Sequence, residues 1–266
     1  MADPDSDATT GPAAGPGETG PAAGDRTELS STVAALTDDE LDVPTRRRLL
    51  GRLVREQIRE RGVGDLFRPK AAIRWVLDSV SDIAPHIPVR DLDTLRRHYD
   101  GLVGDELAER LTRNASRVTA GIGAAGGGVA AIEWAVTPAL LSAPVLLAAE
   151  TLAVVAVEMK LIGELHEVYG HPIPGNGAQR AVAMLQSWGQ GRGVNPLTVG
   201  VAGALSTVAR KELRDRLVRR FGRNLTTLGP LLTGAAVAGY LNRRATRKLG
   251  DEIRRDLTGR YRMIEA

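Results

Sequence analysis

From Val118 to Gly170 the chain is apolar, Gly/Ala-rich and almost uncharged until its end. Between Arg117 and Glu133 lie 15 uncharged residues, and between Glu133 and Glu150 another 16, with Pro138 and Pro144 inside the second run. Each run falls short of the roughly 20 apolar residues that cross a bilayer upright. The pattern fits a buried core, a membrane-embedded helical hairpin or a re-entrant pair, and by itself leaves the three open.

The flanking sequence reads as helices of shorter period. Residues 1–28 hold Pro, Gly, Ala, Thr and Asp without an apolar repeat, the composition of a disordered acidic tail. A short helix is expected near Leu29 to Leu41, with Thr37 as a cap before Asp38, Asp39 and Glu40. Pro44 suits the first turn of a helix reaching Arg61, in which Leu50, Leu53, Val54 and Ile58 form one stripe. Its other face is basic: Arg46, Arg47, Arg48, Arg52, Arg55, Arg59 and Arg61 stand against Glu56 and Glu60. That is the pattern of a helix on an anionic membrane surface, and also of an ordinary surface helix docked by its leucines.

Pro69 predicts a helix over Lys70 to Ile83 that stops at Pro85 and Pro88, and another begins near Asp91. Asp105 to Ser116 leads into the uncharged stretch, and Ala178 to Trp188 forms a helix after a Pro/Gly-rich loop. Val194 to Ala209 is uncharged, Arg210 to Arg223 is a basic amphipathic helix, and Asn224 to Asn242 is an uncharged run of 19 residues. Asn224, Thr226, Thr227, Gly229 and Pro230 make that run a poor insertion sequence. The expected architecture is all-α: a helical bundle with a Gly/Ala-rich apolar hairpin and a disordered N-terminal tail. The tail covers 1–28, N-terminal helices including the basic one (44–61) cover 29–99, and a helical domain covers 100–266.

Composition supports this class. Hydrophobic residues make up 43% of the chain but aromatics only 3%, so the core is aliphatic and closely packed, as suits helices better than a β-sandwich. No cysteine is present, which excludes disulfides, thiol catalysis and Cys-ligated zinc. Residues 1–43 hold ten acids against Arg26 alone, a charge of −9, so the other 223 residues carry +12 against the overall +3. A basic body attracts anionic surfaces. Phospholipid fits better than nucleic acid, because no zinc-finger spacing, RNP-like aromatic run or recognition helix accompanies the arginines. The first residues hold acids where a secretory signal needs bases, so no signal peptide is expected.

Three motifs invite chemistry. Gly121, Gly123 and Gly126 spell GIGAAG, but a helical run precedes them where the dinucleotide fingerprint needs a strand, so close helix packing is the better reading. Gly123 with Gly127, Gly234 with Ala238 and Ala235 with Gly239 have the same small-xxx-small spacing. His166, Glu167 and His171 form HExxxH, one residue too long to aim both imidazoles at one zinc, and Gly170 reads as a helix C-cap. Glu150, Glu158, Lys160 and Glu164 share one side of an apolar helix and need partners. Lys160 can pair with Glu164, and Glu150 or Glu158 with an arginine of the C-terminal helices. No nucleophile or phosphate loop joins these carboxylates, and no cofactor or metal is expected.

Two stretches carry a family resemblance. LIGELHEVYG, Leu161 to Gly170, closes an apolar helix on Tyr-Gly, and GAAVAGYLNRRATRKLG, Gly234 to Gly250, joins a small-residue helix to Asn242, Arg243, Arg244, Thr246, Arg247 and Gly250. Over about residues 100–260 the chain resembles the EcsC family of helical bacterial proteins linked with membranes. The resemblance implies an all-α, membrane-associated protein without established catalytic residues. The expected role is thus a non-enzymatic accessory protein on the cytoplasmic side of the cell membrane, held to anionic lipid or a membrane protein. Arg46, Arg47, Arg48, Arg52, Arg243, Arg244, Arg247 and Lys248 are the candidate contacts. The alternatives are a soluble cytosolic protein-binding module and an enzyme of unrecognised class drawing on Glu150, Glu158 and His166.

Overall fold

Capping groups and prolines set the first helix boundaries. Asp42 accepts from the backbone N–H of Thr45 at 2.8 Å, and Asp91 from that of Thr94 at 2.7 Å, so each carboxylate satisfies a donor with no partner in its own helix. The computed structural model describes residues 23–65, 69–136, 143–190 and 231–264. Among them every regular element is helical: α1 (Ala23–Leu36), α2 (Val43–Asp65), α3 (Pro69–Ile83), α4 (Leu92–His98), α5 (Gly104–Val136), α6 (Ala143–Val168), α7 (Gly177–Gln190) and α8 (Leu231–Ile264). The chain is all-α, as its pattern predicts. The expectations for residues 1–22, for Val194 to Ala209, for Arg210 to Arg223 and for the start of the run from Asn224 lie outside the described residues.

Two boundaries differ from expectation. α1 begins at Ala23, within the stretch read as tail, and ends at Leu36. Thr37 caps its C-terminal end, with both its N–H and its hydroxyl donating to the Ala34 carbonyl, the latter at 2.7 Å. The basic cluster after Asn242 does not end a helix: α8 runs through it for 34 residues.

α6 is the axis of the fold. From Val145 to Leu165 every residue is buried except the half-buried Leu147 and Lys160. It packs against α1, α2, α3, α5, α7 and α8. α5 lies antiparallel to it, with Gly126 facing Glu150 at one end and the Tyr169 hydroxyl bonding Asp105 at the other. Gly170 closes the helix with a φ of 71°, and the His171 N–H donates to the His166 carbonyl, as a C-cap requires. Among the described residues no helix is long and apolar enough to cross a membrane.

α8 lies antiparallel along α5 at a separation that only small residues permit. A Cβ on Gly123 would stand 2.8 Å from the backbone of Ala238 and Gly239, and one on Gly250 2.5 Å from the Thr112 side chain. The GIGAAG triad is therefore a packing device. Gly121 faces the Arg46 side chain, Gly123 faces α8, and Gly126 makes room for the Glu150 carboxylate.

Candidate functional site

The charged residues of α6 do not form one site. Eight residues of helix separate Glu150 from Glu158, and eight more separate Glu158 from His166, steps of about 12 Å along the axis. Each carboxylate is met from a different element. Glu150 Oε1 accepts from the Asn242 side-chain amide of α8 at 3.1 Å, and that amide also donates to the Thr119 carbonyl of α5 at 3.3 Å. Glu158 accepts from the Trp188 indole N–H of α7 at 2.8 Å and from the Thr246 hydroxyl of α8 at 3.0 Å. The α8 groups that reach these two carboxylates are thus an amide and a hydroxyl, where the sequence suggested arginine. Arginine meets Glu164 instead: Arg90, from the segment before α4, grips both its oxygens at 2.7 and 3.1 Å. Lys160 Nζ lies 4.0 Å from Glu164 and donates to the Thr37 carbonyl at 3.3 Å.

Arg90 is the hub of a polar junction that joins five segments. Its guanidinium stands 5.4 Å from the Tyr99 ring centre, donates to the Tyr99 hydroxyl at 3.3 Å and lies 3.9 Å from Asp39. The Tyr99 hydroxyl donates to Asp39 at 2.5 Å, and the Asn114 amide donates to the same carboxylate at 3.3 Å. Two carboxylates, Asp39 and Glu164, balance Arg90 and Lys160, so the partly buried cluster is neutral overall. Burial raises the Asp39 pKa, but the Tyr99 hydrogen bond and Arg90 outweigh it and hold the carboxyl below its usual value. Burial and the bond to Asp39 push the Tyr99 hydroxyl up to about 12. Burial alone would lower Arg90, yet its bonds to Glu164 raise it above its ordinary value. A phenol that holds its proton so firmly suits a structural tie better than acid-base work at neutral pH.

Arg46, expected at an anionic surface, is instead only 3% exposed. Its guanidinium donates to the Leu36 and Asp38 carbonyls at 2.9 and 2.6 Å, satisfying acceptors at the end of α1. The other candidate cations lie further out. Arg47 is half-buried, while Arg48, which donates to Thr45 at 3.0 Å, and Arg52 are exposed on α2. Arg243, Arg244, Arg247 and Lys248 are exposed on α8. Arg247 pairs with Glu109 at 3.1 Å and Lys248 with Glu252 at 3.5 Å.

Sequence reasoning missed the apolar part of this surface. Val237, Tyr240 and Leu241 are 53%, 59% and 55% exposed. Together with Arg244 and Lys248 they fall at i, i+3, i+4, i+7 and i+11, one outward stripe whose first turn is apolar and whose later turns are basic. Asn242, Thr246, Leu249, Ile253 and Leu257 hold the opposite face against the body. It also missed Asp39, Arg90, Tyr99 and Asn114, which share no periodic pattern because they come from four separate segments. Their one signal was the pair of buried charges on α6 in need of partners.

Among the described residues no group of three or more His, Cys, Asp and Glu is placed to hold a metal. No protein-family model matches the chain, no curated protein matches it, and no solved structure matches its fold. The likeness to EcsC proteins therefore rests on the two stretches that carry it.

Proposed function

We propose that this is a non-enzymatic, membrane-associated accessory protein that docks on an anionic membrane surface through α8, with the EcsC resemblance pointing the same way. The observation that carries the reading is the α8 stripe. An exposed apolar turn of Val237, Tyr240 and Leu241 is followed directly by Arg243, Arg244, Arg247 and Lys248. That order suits an interface where side chains enter the acyl boundary and cations meet phosphate headgroups. Arg243 and Arg244 would contribute about 1 kcal/mol each near an anionic leaflet, and Arg247 and Lys248, paired with Glu109 and Glu252, less, which with the apolar turn suits reversible adhesion. Gly239 packs on α5 at Ala120 and Gly250 on α5 at Thr112, so the stripe runs beside the middle of α5. Arg48 and Arg52 on α2 add exposed positive charge to the same body.

The enclosure of α6 by other helices supports peripheral docking over insertion of the whole hairpin. The same enclosure is what a soluble module that binds a protein partner would show, and this is the competing reading. Cosedimentation with phosphatidylserine-containing vesicles separates them. Wild-type protein is expected to bind at low salt and to release as salt rises, and the pair Tyr240→Ser and Leu241→Ser is expected to abolish binding. A wild-type protein that ignores such vesicles at low salt would remove the membrane reading and leave the soluble module.

A further inference from the structure

Beside the polar junction an open cavity of about 340 Å³ lies between the α1–α2 turn, the end of α4 and the outer face of α5. Its size is at the lower end of the roughly 300–1,000 Å³ range of small-ligand sites. Its lining carries both signs of charge. Arg110, Asn114 and Arg117 come from α5 at i, i+4 and i+7 and so share one face. The two arginine Cα atoms lie about 10 Å apart along the helix, close enough for both long side chains to converge on one anionic group. Their neighbour Arg113 pairs with Glu109 at 3.6 Å, but among the described residues neither Arg110 nor Arg117 has a carboxylate partner.

Carboxylates enter from the other two segments. Glu40 comes from the α1–α2 turn, with His98 at 3.9 Å. Asp100 comes from the turn after α4, where it holds a φ of 53°, a left-handed conformation that aspartate adopts more readily than most residues. Asp39 also lines the cavity, but its carboxylate is engaged by Tyr99 and Asn114. Glu40, which has His98 only at the edge of ion-pair range, and Asp100 are the acids that face a ligand, and Arg110 and Arg117 the bases.

We infer that this cavity binds a small zwitterion of the phosphoethanolamine type, its phosphate held by Arg110 and Arg117 and its ammonium by Glu40 and Asp100. A purely anionic ligand would meet two carboxylates, and a purely cationic one two guanidinium groups. The same chemistry belongs to a free phosphoethanolamine and to the headgroup of phosphatidylethanolamine. The inference is independent of docking through α8.

Calorimetric titration with phosphoethanolamine, inorganic phosphate and ethanolamine tests it. Phosphoethanolamine is expected to bind better than either fragment. The double variants Arg110→Ala with Arg117→Ala, and Glu40→Gln with Asp100→Asn, are each expected to weaken it by about tenfold or more, as the loss of charged hydrogen bonds implies. All four side chains are exposed, so unchanged thermal unfolding should confirm that both variants remain folded. No binding by wild type, phosphate binding as tight as phosphoethanolamine, or an arginine variant that binds as well as wild type would each overturn the inference.

A second arm identifies the source using vesicles of phosphatidylcholine with and without phosphatidylethanolamine, both free of anionic lipid. Binding that needs phosphatidylethanolamine and is lost in the arginine variant assigns the headgroup. Binding of soluble phosphoethanolamine without vesicle binding assigns the free molecule. Docking through α8 is read separately on phosphatidylserine vesicles, so either proposal can fail alone.

Discussion

Helices α6 and α8 run side by side in the same sense, joined through Glu150 with Asn242 and Glu158 with Thr246. Both mix small and aliphatic residues with charge, yet they treat that charge in opposite ways. On α6 the charged groups point into protein, and each is met by a donor or acceptor from another segment. On α8 the cations form an outward stripe that continues an apolar turn. The difference lies in how charge is spaced. Four charged side chains spread over Glu150 to Glu164 leave an apolar surface all round, which a bundle can enclose if partners are supplied. Arg243, Arg244, Arg247 and Lys248 fall within two turns, too dense to bury, so that part of α8 must keep one face open.

The contrast breaks most sharply at Arg90. Arg90→Ala leaves Glu164 buried without its bidentate partner and is expected to cost about 3–5 kcal/mol of folding stability in a denaturant titration. A cost under about 1 kcal/mol would mean that Glu164 is open to water. Gly123→Val is expected to cost about 1–3 kcal/mol, because the added side chain forces α8 from α5 at the point of closest approach. Arg46→Ala should cost about 1–3 kcal/mol by freeing two carbonyls at the end of α1, an effect a surface cation would not produce.

The polar junction also predicts a pH window. The Tyr99 pKa is raised to about 12, so its contribution is fully present below about 10 and lost as pH rises toward 12. Tyr169 is also raised, by burial and its bond to Asp105, so absorbance of tyrosinate should show late titration from both residues, of which the Tyr99 part alone reverts toward ordinary behaviour in Asp39→Asn. On the acid side the lowered Asp39 pKa reverses the sign: its contribution is present above the ordinary carboxylate range and lost as pH falls. The smallest stability change belongs to α8. Arg244→Glu should stay within about 0.5 kcal/mol of wild type, while binding to anionic vesicles falls.

Much of the fold was legible because it depends on local rules. Prolines and capping carboxylates marked the helices near residues 44, 69 and 91, whereas the apolar run left a protein core and a membrane insert equally open until α6 was seen enclosed by other helices. The glycine triad was correctly read as packing because its surroundings were helical. Arg46 was misread because a run of three arginines looks solvated from the sequence, whereas its position beside the end of α1 supplies two carbonyls to bond. For Glu150 and Glu158 opposite charge was the obvious partner from the sequence, and the described α8 residues that the packing brings within reach are the neutral Asn242 and Thr246.

The sequence by itself determined the all-α class, the helix starts near residues 44, 69 and 91 and the basic excess of the body, since each depends on period, capping and composition within a single segment, whereas the enclosure of α6 by protein came from the tertiary structure. The tertiary structure alone decided that Asp39, Arg90, Tyr99, Asn114, Lys160 and Glu164 form one cluster, that Arg46 turns inward, and that Val237, Tyr240 and Leu241 stay uncovered. Those outcomes depend on which helices approach one another. That approach is set by glycines at the α5–α8 contact and by the volume of the α6 core, which act between segments far apart in the chain.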